Sequence, residues 1–149
     1  MWLYNEKEFT SDMIGDNMGF VYVITDLSNN KKYVGKKQFK SKTKLPPLKG
    51  KKRKRIVIKE SDWMSYYGSS ELVKELLESH GRDNFKREIL HLCATKGVMS
   101  YLEIVEQIER KVLLSDEYYN GIVNCKIHRS HVKSLKEELR QSEPWHNRS

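Results

Sequence analysis

The chain has 149 residues, 28 Lys or Arg against 20 Asp or Glu, and a formal net charge of +8. Hydrophobic content of 38% beside charged content of 32% fits one domain with a modest core, and no apolar run approaches the roughly 18 residues that a membrane span needs. The positive excess is a statement about partners, and phosphate backbones are the commonest polyanion a basic domain meets. Anionic lipid is not the expected partner, because no amphipathic basic helix or lipid anchor is evident. Two cysteines, Cys93 and Cys125, are too few for a disulfide framework and suit a reducing compartment.

Residues 1–18 read as an irregular lead-in, acidic and polar rather than signal-like. Trp2, Leu3, Tyr4 and Phe9 are its pins to the body. "GFVYVITD" has strand composition, "DLSNN" is turn chemistry, and "KKYVGKK" is the returning strand of a hairpin. In the basic insertion 40–62, Pro46-Pro47 excludes helix and central strand. Gly50 and the run Lys51-Lys52-Arg53-Lys54-Arg55 indicate an exposed loop, with "IVI" at 56–58 extended on its far side. "GSSELVKELLESHG" predicts a helix capped by Ser69 or Ser70 and stopped by Gly81. "NFKREILHL" alternates as a third strand. "VMSYLEIVEQIERKVLLS" predicts a long helix with Tyr101, Ile104, Val105, Ile108 and Val112 on its apolar face. "IVNCKIH" reads as a short strand, and "SHVKSLKEELRQ" as a last helix with Val132, Leu135 and Leu139 inward. The expectation is a small α/β (α+β) domain with three strands, at least two antiparallel. Its expected divisions are a lead-in at 1–18, a main domain at 19–128 and a C-terminal helix and tail at 129–149.

The hairpin's faces depend on loop length. With a two-residue turn at Asn29-Asn30, Gly35 pairs with Ile24 and Lys37 with Tyr22. Tyr22, Tyr33, Gly35 and Lys37 then share one face; one more loop residue would split the tyrosines. Tyrosine is common in strands, so an ordinary half-buried hairpin explains the pair. A glycine inside a strand marks close approach of a ligand or backbone, so a phosphate-handling surface explains it too. Both readings stay open on these residues alone. Cys125, His128 and His131 form C-x2-H-x2-H, which lacks the fourth ligand zinc wants. His91 reads as structural.

"VY" at Val21-Tyr22 and "YVG" at Tyr33–Gly35 are followed by "YYGSSELVKELLESHGRDNFKREIL" and "LEIVEQIERKVLLSDEYYNGIVN". In that order and spacing they resemble the GIY-YIG nuclease superfamily, in a phage-borne, homing-endonuclease-like branch, with Phe20 in place of the first glycine. The resemblance implies a three-stranded antiparallel sheet flanked by helices. It implies hydrolysis of phosphodiesters in double-stranded DNA with one divalent metal, usually Mg²⁺. Tyr22 and Tyr33 take the places of the motif tyrosines, one activating water and one positioning the phosphate. An unperturbed phenol, of pKa ~10, is a poor base at neutral pH, so Lys36, Lys37 and the metal would have to lower it. Tyr66 takes the family's His/Tyr role. Among the helix glutamates Glu103 fits the pattern best as metal ligand, with Glu106 and Glu109 as alternatives. The helical wheel instead puts Glu109 nearest the apolar face. Asn120 leads over Asn124 for the later asparagine, holding the phosphate or bracing the site. The family's Arg after YIG is missing, and its role falls to Lys37, Lys44, Arg53 or Arg55. If it falls to none, the chain is a DNA-binding module that cuts poorly or not at all. Gly35, Lys36, Lys44, the basic run Lys51, Lys52, Arg53, Lys54 and Arg55, and the aromatics Trp63 and Tyr67 are the expected DNA contacts. One active site per chain implies nicking, or a homodimer for a double-strand cut, and the resemblance places the action in a host cytoplasm.

Overall fold

The computed structural model of the chain describes residues 1–123 and 128–141. Strands β1 (Trp2–Tyr4), β2 (Lys7–Phe9), β3 (Gly19–Asp26), β4 (Lys32–Gln38) and β7 (Phe85–Cys93) form one sheet in the order β2-β1-β7-β3-β4. Strands β5 (Lys40–Leu45) and β6 (Arg55–Glu60) form a separate two-stranded ribbon. The helices are α1 (Glu71–His80), α2 (Lys96–Glu109) and α3 (Lys133–Gln141).

The main sheet has five strands rather than three. The lead-in is not irregular: Asn5 and Glu6, at φ 50° and 67°, close a two-residue turn between β1 and β2. Positive φ at both central positions is the hairpin turn that matches strand twist. β1 then pairs parallel with β7, so the sheet is mixed rather than purely antiparallel. Trp2 fixes this addition: it is fully buried, its indole N–H donates to the Trp63 carbonyl at 2.8 Å, and its ring meets Phe20 and Tyr22 edge-on.

β3 is buried along its length between antiparallel β4 and β7. The β3–β4 loop has four residues, 27–30, not two. The Asp26 amide bonds the Lys31 carbonyl at 2.8 Å, and Asn30 takes the left-handed conformation at φ 59°. Tyr22 therefore faces Gly35, and Ile24 faces Tyr33. A shift of two residues preserves side-chain parity, so Tyr22, Tyr33, Gly35 and Lys37 still share a face. β7 carries a bulge opposite Val21 and Tyr22, where Ile89 and His91 are the paired residues. The bulge turns both Leu90 and His91 towards α2.

One sheet face carries Phe20, Tyr22, Ile24 and Ile89 under Trp2, Phe39 and Trp63, with Leu76 and Leu77 of α1 against them. The other carries Val21, Val23, Val34 and Cys93 under Val98, Met99 and Leu102 of α2 and Leu135 of α3. Ser70 caps α1 and Thr95 caps α2. α2 is rotated from the expected face. Tyr101 and Ile108 are exposed, whereas Gln107 is buried and Glu103 and Glu106 are half-buried towards the sheet. The polar partners that the sheet offers these three side chains outweigh the apolar stripe. α2 also ends at Glu109, so Val112 is buried from the turn beyond it. The expected loop of the insertion is the β5–β6 ribbon with a shorter loop, 46–54, at its tip. No strand forms at 121–123; residues 124–127, with Asn124 and Cys125, and the side chain of Leu139 lie outside the described residues. Among the described residues no helix is long and apolar enough to cross a membrane.

The hairpin end is tied by Asp26, whose carboxylate is fully buried. It accepts from the Ser28 amide and hydroxyl (3.0 and 2.6 Å), Asn84 Nδ2 (2.6 Å) and Tyr119 Oη (2.9 Å). Burial alone would raise its pKa; these donors outweigh that and hold it below its ordinary 3.8. The stabilisation is therefore present above pH 3.8 and is lost as pH falls through the lower folded value. Asp26→Asn is expected to cost about 1–3 kcal/mol at pH 7 and distinctly less at pH 2–3, read by thermal melts at the two pH values. An equal loss at both would contradict the role given to the charge.

Candidate active site

The site forms at β4 because β4 is an edge strand whose one face lacks a side chain at Gly35. A Cβ built on Gly35 would lie 2.7 Å from Tyr22 Cζ, and nearer still to its hydroxyl. Tyr22 thus lies across the bare backbone of β4 and reaches the strand's outer edge. Tyr33, two residues earlier on β4, stands beside it with ring centroids 6.4 Å apart. Tyr66 meets Tyr22 edge-on at 6.0 Å, and Lys37 Nζ lies 4.3 Å over the Tyr66 ring while pairing with Asp62 at 2.7 Å. Gly68 closes the cluster. At φ 99° it adopts a backbone that favours glycine, and a Cβ added there would lie 3.5 Å from both Tyr22 Oη and the Tyr33 ring. Ser69 Oγ then lies 3.3 Å from Tyr33 Oη.

The two phenols differ in exposure. Tyr22 is 1% exposed, and Tyr33 only half-buried. Burial pushes both pKa values above the ordinary phenol, most strongly for Tyr22, and the Glu103 carboxylate adds to both. Glu103 comes from the layer on the other face and meets β4 at Lys36, the neighbour of Gly35. Its carboxylate is 4.0 Å from Lys36 Nζ, which donates to Ser100 Oγ at 2.8 Å. Burial raises the Glu103 pKa and Lys36 only partly opposes it. Glu106 is different: it is 2.7 Å from His91 and 2.9 Å from Arg110, and these partners overcome burial and lower its pKa. Glu106 is committed to tying α2 to β7, and Glu109 is exposed. Glu103 is the carboxylate left under-paired beside the phenols.

Asn120 is buried and uses its whole amide on one residue. Its Oδ1 accepts from the Val34 amide at 3.0 Å, and its Nδ2 donates to the Val34 carbonyl at 2.8 Å. Gln107 Nε2 donates to the same carbonyl at 3.1 Å. The Lys32 amide and carbonyl bond Glu117 and Tyr119 in the same way. Of the two expected parts for Asn120, this geometry is that of a brace: it holds the edge of β4 between Tyr33 and Gly35.

Sequence reasoning missed Arg87. It is buried, donates to the Met64 and Tyr66 carbonyls at 2.9 and 2.8 Å, and stacks 4.0 Å from the Tyr67 ring and 4.7 Å from Trp2. It positions the segment that carries Tyr66. The signal was its place between Phe85 and Ile89 on the inward side of an alternating strand. Trp63 and Tyr67 are packed in the aromatic core rather than presented to solvent as stacking groups; Trp63 is fully buried. Lys44, Lys51, Lys52, Arg53, Lys54 and Arg55 are exposed on the β5–β6 ribbon, not against the phenols. Lys36 and Lys37 are the cations that flank the tyrosine–glutamate cluster.

Among the described residues no three His, Cys, Asp or Glu side chains gather as a metal cluster. A single half-buried carboxylate such as Glu103 would suit Mg²⁺, which keeps several waters and commonly takes one or two carboxylates plus substrate phosphate.

Gly35→Ala is expected to displace Tyr22, since the added methyl overlaps the phenol. The cost should be about 1–3 kcal/mol from overpacking, read by thermal or urea unfolding. No change in stability would contradict the close approach.

A family model described as "Putative endonuclease segE, GIY-YIG domain" matches residues 2–123. No curated protein and no solved structure matched the chain. The matched span includes β1 and β2, consistent with their place in the sheet. With the two motif tyrosines, Gly35 and a helix glutamate assembled at one sheet edge, and the family model matching most of the chain, this protein belongs to the GIY-YIG endonuclease family.

Proposed function

We propose that the chain is a metal-dependent endonuclease that hydrolyses phosphodiesters in double-stranded DNA, in a homing-type, phage-borne setting. The observation that carries the reading is the convergence of Tyr22, Tyr33 and Glu103 at the edge of β4, between Lys36 and Lys37.

Tyr33 is the more exposed phenol and takes the water-facing role; Tyr22, held under Gly68 and Tyr66, fixes the floor on which Tyr33 stands. Ionising an ordinary phenol at pH 7 costs about 4 kcal/mol, and burial and Glu103 push Tyr33 further the wrong way. A divalent cation held by Glu103 would supply the missing positive charge, both for that proton transfer and for the phosphate. Lys36 and Lys37 add fixed positive charge where the equatorial phosphate oxygens would sit. Asn120 and Gln107 keep β4 from shifting as charge develops.

A second reading, a DNA-binding module with weak or no cutting, is favoured by one observation. Among the described residues the buried arginine, Arg87, turns its guanidinium to backbone carbonyls rather than to the site, and Arg53 and Arg55 stand exposed on the ribbon away from the phenols. One assay separates the two.

Supercoiled plasmid is expected to be nicked with Mg²⁺ and to stay intact in EDTA. Tyr33→Phe and Glu103→Gln should each lower the rate by about 10²-fold or more. Glu106→Gln should keep the rate within a few-fold while lowering the melting temperature. Duplex binding without Mg²⁺-dependent nicking by the wild type would favour the second reading. Loss of nicking in Glu106→Gln but not Glu103→Gln would overturn the assignment of the carboxylate.

A further inference from the structure

The β5–β6 ribbon is the part of the chain that its own fold explains least. Residues 40–60 hold ten of the 28 basic residues and one of the 20 acidic ones. The remaining 128 residues then carry eighteen basic against nineteen acidic, a net of −1. The whole positive excess of the protein is this one ribbon. Its six-residue strands pair in unbroken antiparallel register from Lys40–Glu60 to Leu45–Arg55, a reach of about 20 Å at ~3.3 Å per residue. Of its twelve strand residues only Lys40, Leu45 and Val57 are not fully exposed. Ile56 and Ile58 stand 63% and 58% exposed, opposite Lys44 and Lys42. An isolated two-stranded ribbon is marginally stable in water, and like-charged strands make it less so. The ribbon's root rests on the 11–15 turn, through Lys40 Nζ to the Gly15 carbonyl and the Ser11 hydroxyl to Glu60; beyond that a largely exposed ribbon, with cations along it and apolar groups between them, is completed by a polyanion that also offers apolar contact.

We propose that β5–β6 enters the major groove of duplex DNA and selects where the protein cuts. The inference rests on the reading of the chain as acting on DNA, and it deepens that reading. A two-stranded ribbon fits the major groove, about 12 Å wide, and the thymine methyl offers apolar contact there. Lys51, Lys52, Arg53 and Lys54 at the tip engage phosphates; Ile56 and Ile58, on one face with Lys42 and Lys44, meet base edges. The ribbon is wired to the active site at both roots. β4, which carries Tyr33 and Gly35, runs through one buried residue, Phe39, into β5. On the return, the Ser61 amide bonds the Phe39 carbonyl at 2.7 Å, Asp62 pairs with Lys37 at 2.7 Å, and the Trp63 indole donates to Glu60 at 2.6 Å. These contacts fix the offset between bases read and phosphate cut.

The test uses the full chain with duplex DNA in EDTA, where binding is read without cutting. A quadruple tip variant, Lys51→Ser, Lys52→Ser, Arg53→Ser and Lys54→Ser, touches only exposed loop residues. It should flatten the slope of log affinity against log salt by about 0.9 for each phosphate no longer neutralised. A second variant joins Lys42 to Ile58, which already pair, by Asn-Gly; it should melt as the wild type does and bind at least tenfold more weakly. Duplex with a bulky group on cytosine C5, which projects into the major groove, should bind more weakly, and distamycin in the minor groove should not compete. Unchanged affinity in the shortened variant, competition by distamycin, or binding of an acidic protein but not of duplex would each overturn the proposal. Ribbon-dependent binding without Mg²⁺-dependent cutting would leave the proposal standing and sink the nuclease reading; cutting with ribbon-independent binding would do the reverse.

Discussion

The arrangement of the site depends on the absence of a side chain at residue 35. Any Cβ there would occupy the space of the Tyr22 phenol. Because Gly35 leaves it free, a buried tyrosine of central β3 crosses its neighbour and places its hydroxyl at the sheet's outer edge. That edge is where α2, packed on the opposite face, brings Glu103. Groups from two layers that the sheet would otherwise separate can meet only around an edge strand, and glycine lets the tyrosine side reach it.

An edge strand must also be held, since its outward amides and carbonyls are otherwise unpaired. Here the holders are buried polar side chains and a short stretch of chain. Asn120 and Gln107 close on Val34, and Glu117 and Tyr119 close on Lys32. Arg87 does the same for the carbonyls of Met64 and Tyr66, which carry the lid over the phenols. Each buried polar group is satisfied by backbone, which lowers the cost of its burial. The rigidity of the site follows from these ties rather than from the loop lengths around it.

Much of this was legible in the residues, and the failures have physical reasons. Tyrosine and glycine parity on the hairpin survived a wrong loop length, because two extra residues restore the same faces. Helix α1 was readable from Ser70 and Gly81. Strands β1 and β2 were not, because three residues each give no period to count and their only signal is an Asn-Glu turn. The ribbon was hidden because "KSKTKL" has little strand propensity. The face of α2 was misread because a wheel counts apolar side chains and cannot see Lys36, His91 and the Val34 carbonyl waiting for Glu103, Glu106 and Gln107. The sequence pattern pointed to Glu103 and the wheel to Glu109; the structure places Glu103 half-buried beside Lys36 and leaves Glu109 exposed.

The central claim is that Glu103, and neither other glutamate of α2, lies within electrostatic reach of the motif phenols. Tyrosine labelled with ¹³C at Cζ reports it directly, by NMR titration of the metal-free chain. Glu103→Gln should move the Tyr33 ionisation to lower pH, because the neighbouring negative charge that raises it is gone. Glu106→Gln and Glu109→Gln should leave it in place. An unmoved Tyr33 in Glu103→Gln, or a shift produced by Glu106→Gln instead, would contradict the account.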